Sequence, residues 1–224
     1  MSFELICSGC GAMSGPSVGI CPFCKTVMAS SDDKNSIQKS SIIKTYESGR
    51  LDQALSLAKK LYTNDEDSKK DADFLLLYAK ILLDTEGPTS LIKGLLTEAH
   101  LLAPTHRDVL DYIELIEGKS HLKQGLNDSG EVLLKNLIRR SPQNIHAHFL
   151  LGTHLFWSEG QSQMAVPHLE TCVRLSPNFL RAWGCLGVIY KKLGNAQLAN
   201  RAFQKCADLE LNSDMKTFFL QQIK

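Results

Sequence analysis

From Ile37 to the end of the chain, apolar residues return at intervals of three and four positions. This spacing places them on one face of successive α-helices, and the alternation typical of β-strands is scarce. Residues 29–36 are small and polar without periodicity, and residues 1–28 are too short to build a core of their own. The pattern predicts a small module over 1–28, a linker over 29–36 and a helical domain over 37–224.

The helical domain contains an internal repeat near its carboxyl end. Gly152 and Gly187 stand where two paired helices must approach closely, and Gly160 and Gly194 stand where the first helix of each pair ends in a left-handed cap. The second helices of the two units are offset by 34 residues. The marked positions of the last unit are Trp183, Leu186, Gly187, Tyr190, Gly194, Ala199, Phe203 and Cys206.

These residue types and spacings resemble the tetratricopeptide repeat, a pair of helices that stacks on its neighbours to form a superhelix. Weaker units extend the resemblance back to Ile37, which implies an all-α solenoid of about five helix pairs, closed by a short helix over 214–224. Between Pro104 and Pro142 the pattern predicts helices near 108–117 and 129–140. The connection between those two helices is expected to be long and polar.

The resemblance also implies which side chains face the concave groove, where this family commonly holds peptides. In the fourth and fifth units these positions carry aromatic and basic residues, which often anchor interfaces. We therefore expect a partner protein or peptide segment with apolar anchors and acidic residues. The alternative for the phenylalanines is burial between repeats. The predicted groove residues are His146, Phe149, Thr153, Phe156, Arg181, Val188, Lys191 and Lys192.

Four cysteines near the amino terminus form two CxxC pairs separated by ten residues. A tight turn presents both sulfurs of each pair on one side, so the two pairs complete a tetrahedral site. Four thiolates suit zinc and leave no open position for catalysis, so the metal would stabilise the fold. The stretch resembles a zinc ribbon, and iron bound as in a rubredoxin stays an alternative. The expected ligands are Cys7, Cys10, Cys21 and Cys24.

Composition narrows the remaining functions. The chain has 25 Lys and Arg against 24 Asp and Glu, and residues 1–35 hold only Lys25 and Lys34 as basic side chains. Phosphate binding normally needs several lysines or arginines, so a nucleic-acid partner is not expected, and a nucleic-acid-associated zinc-ribbon regulator stays an alternative only. A second alternative is an iron redox sensor, since four thiolates bind iron as well as zinc. No spacing typical of a catalytic nucleophile or phosphate loop occurs, so we expect no enzyme. The lack of a leader or a long apolar run, and the paired cysteines, favour a cytoplasmic protein without membrane contact.

Overall fold

The computed structural model describes most of the helical domain and two short strands near the amino terminus. The strands β1 (Leu5–Ile6) and β2 (Met13–Ser14) pair antiparallel, with Leu5 opposite Ser14. The four cysteines predicted as metal ligands lie outside the described residues. The described residues are 5–6, 13–14, 31–158, 160–210 and 212–223, with side chains described from residue 36 onward.

Apart from the two strands, the described residues form helices and short connections, which confirms the predicted all-α class. Consecutive helices pack as five pairs, and the first helices of neighbouring pairs also contact each other. A 3-10 turn at Ser68–Lys70 precedes the second pair. The helices are α1 (Ser31–Glu47), α2 (Leu51–Asn64), α3 (Ala72–Asp84), α4 (Thr89–Leu102), α5 (Arg107–Lys123), α6 (Asn127–Arg140), α7 (Ile145–Trp157), α8 (Ser162–Leu175), α9 (Leu180–Lys192), α10 (Ala196–Leu209) and α11 (Ser213–Gln221).

Helix ends in the fourth and fifth pairs follow from local hydrogen bonding. The Asn144 side chain accepts a hydrogen bond from the Ala147 amide (3.0 Å) at the start of α7, and Asn195 accepts one from Leu198 (3.1 Å) at the start of α10. Such side chains satisfy amides that have no partner inside the helix. Gly194 closes α9 with a φ of +77°, a conformation that glycine adopts without strain. The left-handed cap predicted at this position is confirmed.

Paired helices approach each other closely where glycine replaces a larger residue. A Cβ atom built at Gly187 would lie 2.6 Å from the Phe203 ring, and one at Gly152 would lie 3.0 Å from Leu169. Both distances are shorter than ordinary van der Waals contact. The glycines therefore set the separation of α7 from α8 and of α9 from α10, as the repeat pattern predicts.

The third pair differs from its prediction. Helix α5 continues to Lys123 and α6 begins at Asn127, so the expected long polar connection contains only residues 124–126. The physical reason is Gly118, which lies buried inside α5, where an added Cβ would lie 3.3 Å from the Leu134 side chain. This glycine is a point of close helix approach and not part of a loop.

The first and last helices of the stack can be compared with their predicted positions. Helix α1 begins at Ser31, inside the segment 29–36 that the sequence predicts as a linker. Helix propagation needs no apolar face, because each added residue forms a main-chain hydrogen bond. At the other end α11 packs on α10, where Phe219 and Ile223 contact the core, as expected of a closing helix. Within the part of the chain that the structure describes, no helix is long and apolar enough to cross a membrane.

The stack curves so strongly that its first pair reaches the connection between the fourth and fifth pairs. The side-chain amide of Asn178, between α8 and α9, donates a hydrogen bond to the Glu47 carbonyl at the end of α1 (2.9 Å). On α9, Arg181 donates to the Glu86 carboxylate, which follows α3 (2.6 Å). The first helices of the pairs, α1, α3, α5, α7 and α9, are termed the inner helices below. These helices line the inside of the curved stack. The two hydrogen bonds cross this inner space, which is termed the axis below.

Candidate functional site

A buried polar network joins four inner helices at the axis. Asp84, the last residue of α3, accepts a hydrogen bond from the Tyr46 hydroxyl of α1 (2.5 Å). The Nε2 atom of His146 on α7 lies 2.9 Å from the other Asp84 oxygen. The Nδ1 atom of the same ring lies 2.6 Å from the Tyr112 hydroxyl of α5. Because a carboxylate only accepts hydrogen bonds, Nε2 of His146 carries a proton.

The network keeps Asp84 ionised. Burial alone would raise the pKa of this carboxyl, but the charge and hydrogen bond of His146 and the Tyr46 hydroxyl outweigh it and lower the pKa below its usual value. Burial, followed by the charge of Asp84, raises the pKa of Tyr46 and of Tyr112 well above the usual phenol value. Both hydroxyls therefore stay protonated near neutral pH.

This network also decides what His146 can do. Its side chain is only 3% exposed, and both ring nitrogens have partners inside the protein. The sequence prediction placed His146 on the partner-facing surface of the groove. Its polar atoms are instead used inside the molecule, because Asp84 on α3 reaches it across the axis.

Beside the network lies a cavity of about 760 Å³ between α5, α7, α9 and α11. Its walls combine aromatic rings with basic side chains. Trp157 is 66% exposed, and Phe218 and Val188 are also exposed. This space is termed the basic cavity. The residues that define it here are Lys119, Lys123, Phe149, Trp157, Arg181 and Phe218.

Five of the eight predicted groove residues line the basic cavity, namely His146, Phe149, Thr153, Arg181 and Val188. The fold thus brings together side chains from α7 and α9, as the repeat positions predict. Their exposure differs widely, since Val188 is exposed whereas the Phe149 ring is buried against Phe179, with ring centroids 5.0 Å apart.

The other three predicted residues lie outside this cavity. Phe156 is 5% exposed and packs against Trp157, with ring centroids 4.5 Å apart. The Lys192 ammonium lies 5.1 Å from the centre of the Phe156 ring, and Lys191 donates a hydrogen bond to Gln222 (3.2 Å). For Phe156 the alternative interpretation as a core residue is therefore the observed one.

Arg181 occupies the centre of the arrangement. Its guanidinium lies 4.8 Å from the centre of the Phe149 ring, a cation–π distance. The same group donates a hydrogen bond to the Glu86 carboxylate (2.6 Å). Arg181 is thus held between an aromatic face and a negative charge.

Several residues of the basic cavity were not predicted. Lys119 and Lys123 belong to the part of α5 that the sequence pattern assigned to a connection. Burial lowers the pKa of Lys119, and the nearby charges of Lys123 and Arg181 lower it further. Lys119, Lys123 and Arg181 are therefore three cations in one region. The charge of Glu86 acts in the opposite direction and raises the pKa of Lys119.

The signal for this extension is present in the sequence. Gly118 and Gly125 are separated by the same seven positions as Gly187 and Gly194. Interpreting the first pair by analogy with the second would have continued α5 through Lys119. The contribution of Phe218 from α11 has no such signal, because it depends on how the closing helix docks.

The three cysteines of the helical domain are expected to be unreactive. Burial raises the pKa of Cys185, which lines the basic cavity, to about 11, and the pKa values of Cys172 and Cys206 to about 12. Such thiols stay protonated near neutral pH, and the thiolate is the reactive form. Among the described residues, no group of three or more His, Cys, Asp or Glu side chains is placed to hold a metal ion. The predicted four-cysteine site lies outside that part of the chain.

Comparison with known proteins supports the repeat assignment. Residues 145–179 and 180–213 match the tetratricopeptide repeat family, so the chain contains two consecutive repeats of this type. Among solved structures, TTC0263, a thermophilic TPR protein in Thermus thermophilus, is 17% identical with a TM-score of 0.51. The alignment covers 84% of this chain and 97% of that chain. At this identity the likeness shows that the two chains share a fold and nothing about function.

Two MamA structures have lower TM-scores. A MamA variant is 23% identical with a TM-score of 0.41, over 81% of this chain and 100% of that chain. The crystal structure of MamA is 22% identical with a TM-score of 0.42, over 74% of this chain and 92% of that chain. At these TM-scores neither comparison establishes a common fold. No curated protein matches the chain.

Proposed function

We propose that this protein is an interaction scaffold whose basic cavity holds a segment of a partner protein with acidic residues and apolar anchors. Tetratricopeptide repeats at residues 145–213 support the general role, since stacked repeats of this kind bind proteins on their inner surface. The observation that carries the proposal is that exposed aromatic side chains and the amines of Lys119 and Lys123 surround one cavity.

The apolar part of the proposal rests on exposure. Trp157, Val188 and Phe218 line the same cavity and are all exposed, although each carries a large apolar surface. Clustered exposed apolar groups in a soluble protein commonly mark an interaction site. Aromatic residues and arginine are also the side chains that most often dominate binding energy. A partner segment would bury its own apolar residues against these rings.

The acidic part rests on electrostatics. The pKa of Lys119 is lowered by burial and by the charges of Lys123 and Arg181, which indicates a locally positive potential. The nearby carboxylate that acts on Lys119, that of Glu86, is hydrogen-bonded to Arg181. A carboxylate from a partner would relieve the repulsion among the three cations and gain complementary charge.

The test reverses the charge of the cavity. Lys119→Glu combined with Lys123→Glu should abolish recovery of partners by the tagged full chain from its native cells. The matched control is Lys59→Glu with Lys60→Glu, two exposed lysines on α2 that do not line the cavity. Both variants should keep the wild-type far-ultraviolet circular dichroism, because lysine and glutamate have similar helix propensities. Lys59, Lys60 and Lys123 are exposed and Lys119 is half-buried at the cavity wall, so the dichroism of the cavity variant is checked first. Equal partner recovery by a folded cavity variant would contradict the proposed site.

We also propose that Cys7, Cys10, Cys21 and Cys24 hold one structural zinc ion as thiolates. The paired spacing supports this, and so do the strands, since β1 immediately precedes the first CxxC pair in the sequence and β2 follows it. The metal would supply the folding energy that a segment of this length lacks.

Metal analysis tests the zinc proposal directly. The purified protein should contain one zinc per chain, and Cys21→Ser should remove it while Cys185→Ser does not. A red protein containing iron would favour the rubredoxin-like alternative, because zinc is colourless. Native protein with only traces of both metals would show that the cysteines serve another purpose.

A further inference from the structure

A second cavity lies on the other side of the Arg181–Glu86 ion pair. Its volume is about 700 Å³, and it lies between the turn after α1, the connection after α3 and the connection between α8 and α9. Glu86 and Arg181 line both this cavity and the basic cavity. The ion pair therefore stands where the two spaces meet.

The two cavities have opposite charge. Apart from the shared pair, the described residues of the second cavity that carry charge are Glu47, Asp52, Asp84 and Glu210 against the single cation Arg50. The basic cavity has Lys119 and Lys123 in the corresponding role. The second space is termed the acidic cavity. A ligand that crosses from one cavity to the other would meet positive charge first and negative charge afterwards.

The Arg181–Glu86 ion pair that the two cavities share is exposed to water on its acidic side. Glu86 has a φ of +56°, a left-handed conformation that residues other than glycine rarely adopt. Its side chain is 73% exposed, so water competes for the carboxylate and the ion pair is weak. Arg181 also contacts the Phe149 ring, and this contact does not involve Glu86.

We infer that the two cavities are the halves of one channel, which binds a peptide segment that is acidic at one end and basic at the other. A carboxylate of the peptide replaces Glu86 on Arg181, near Lys119 and Lys123, and its basic end lies near Glu47 and Asp52. This inference rests on the proposed function, because it uses the same cavity for the acidic end. It adds the second half of the site and the polarity of the ligand.

Synthetic peptides test this assignment on the full chain. The first fluorescein-labelled probe has a glutamate- and phenylalanine-containing half followed by a lysine-containing half. The second probe is the acidic half alone, extended with serine and glycine to the same length. Binding is measured by fluorescence anisotropy at fixed salt. We expect the first probe to bind at least tenfold more tightly than the second.

Variants assign the two ends. Glu86→Gln removes the internal competitor and should tighten binding of both probes several-fold, and Glu86→Gly should act similarly while also suiting the left-handed backbone. Glu117→Gln, an exposed acid on α5 that lines neither cavity, should change nothing. Glu47→Lys with Asp52→Lys should remove the advantage of the first probe and leave the second unaffected.

The outcomes separate the two ideas. Equal affinity for the two probes, or binding that Glu86→Gln and Glu86→Gly both leave unchanged, would overturn the channel and leave the basic cavity as a binding site. If neither probe binds the wild type or the Glu86 variants, the acidic-peptide site fails together with the channel. Circular dichroism of each variant checks that the helices are intact.

Discussion

Two glycines three positions apart on α9 allow a sharp test of the repeat packing. Gly187 and Gly184 lie in the same helix, so replacement by alanine raises helix propensity equally at both positions, by about 1 kcal/mol. Their surroundings differ. A Cβ at Gly187 would lie 2.6 to 2.8 Å from three atoms of the Phe203 ring, whereas at Gly184 the nearest atom is the Cys206 sulfur at 4.0 Å.

The expected magnitude follows from these distances. Phe203 is 2% exposed, so its ring cannot move aside without disturbing the contact between α9 and α10. Overpacking of a filled interior costs about 1–3 kcal/mol. Gly184→Ala should therefore stabilise the protein by up to about 1 kcal/mol, and Gly187→Ala should be less stable than Gly184→Ala by about 1–3 kcal/mol. Gly187→Leu should be still less stable.

Urea unfolding of the full chain measures these differences. Circular dichroism reports all helices. The fluorescence of Trp157 on α7 and Trp183 on α9 adds a report from the fourth and fifth pairs, which is useful because repeat proteins can unfold in segments. Midpoints are compared between the two alanine variants, so that the common gain in helix propensity cancels. If Gly187→Ala were as stable as Gly184→Ala, the close helix contact at Gly187 would not exist and the repeat register would be wrong.

Three further outcomes follow from the structure. Asp84→Ala leaves the Tyr46 hydroxyl and the His146 Nε2 proton without their shared acceptor, so urea unfolding should show a loss of about 3–5 kcal/mol, and Asp84→Asn should lose less. Burial lowers the pKa of His148 and His168, so the unfolded chain binds more protons than the folded chain in mild acid. The free energy of unfolding should therefore fall as the pH drops below about 6.5, and it should fall less steeply in His168→Gln. Chelation of the proposed zinc should leave the helical circular dichroism nearly unchanged, since the helices have their own core.

The sequence alone determined the helix pairing where the signals are local. Gly187 and Gly194 are only seven positions apart, and each acts on its immediate surroundings through a close contact or a left-handed cap. Such features depend on backbone conformation and on the next helix along the chain. For this reason the fourth and fifth pairs were predicted correctly.

The third pair shows how a local interpretation fails. Four of the five residues 119–123 are polar, and the sequence pattern placed this segment in a connection, although it continues α5 to Lys123. Their polar character reflects the surface they occupy and not a loop conformation. The missed residues Lys119 and Lys123 are the ones that make the cavity basic.

Only the tertiary structure decided which inner residues meet at the axis. Asp84 and His146 are 62 positions apart, and Asn178 reaches Glu47 across 131 positions. Helical periodicity predicts that such residues lie on an inner face, but each repeat adds a small rotation, and their sum brings the end of α1 to the connection between α8 and α9. That accumulated curvature buries the polar atoms of His146, leaves Trp157 exposed and places Arg181 beside Glu86 between two cavities of opposite charge.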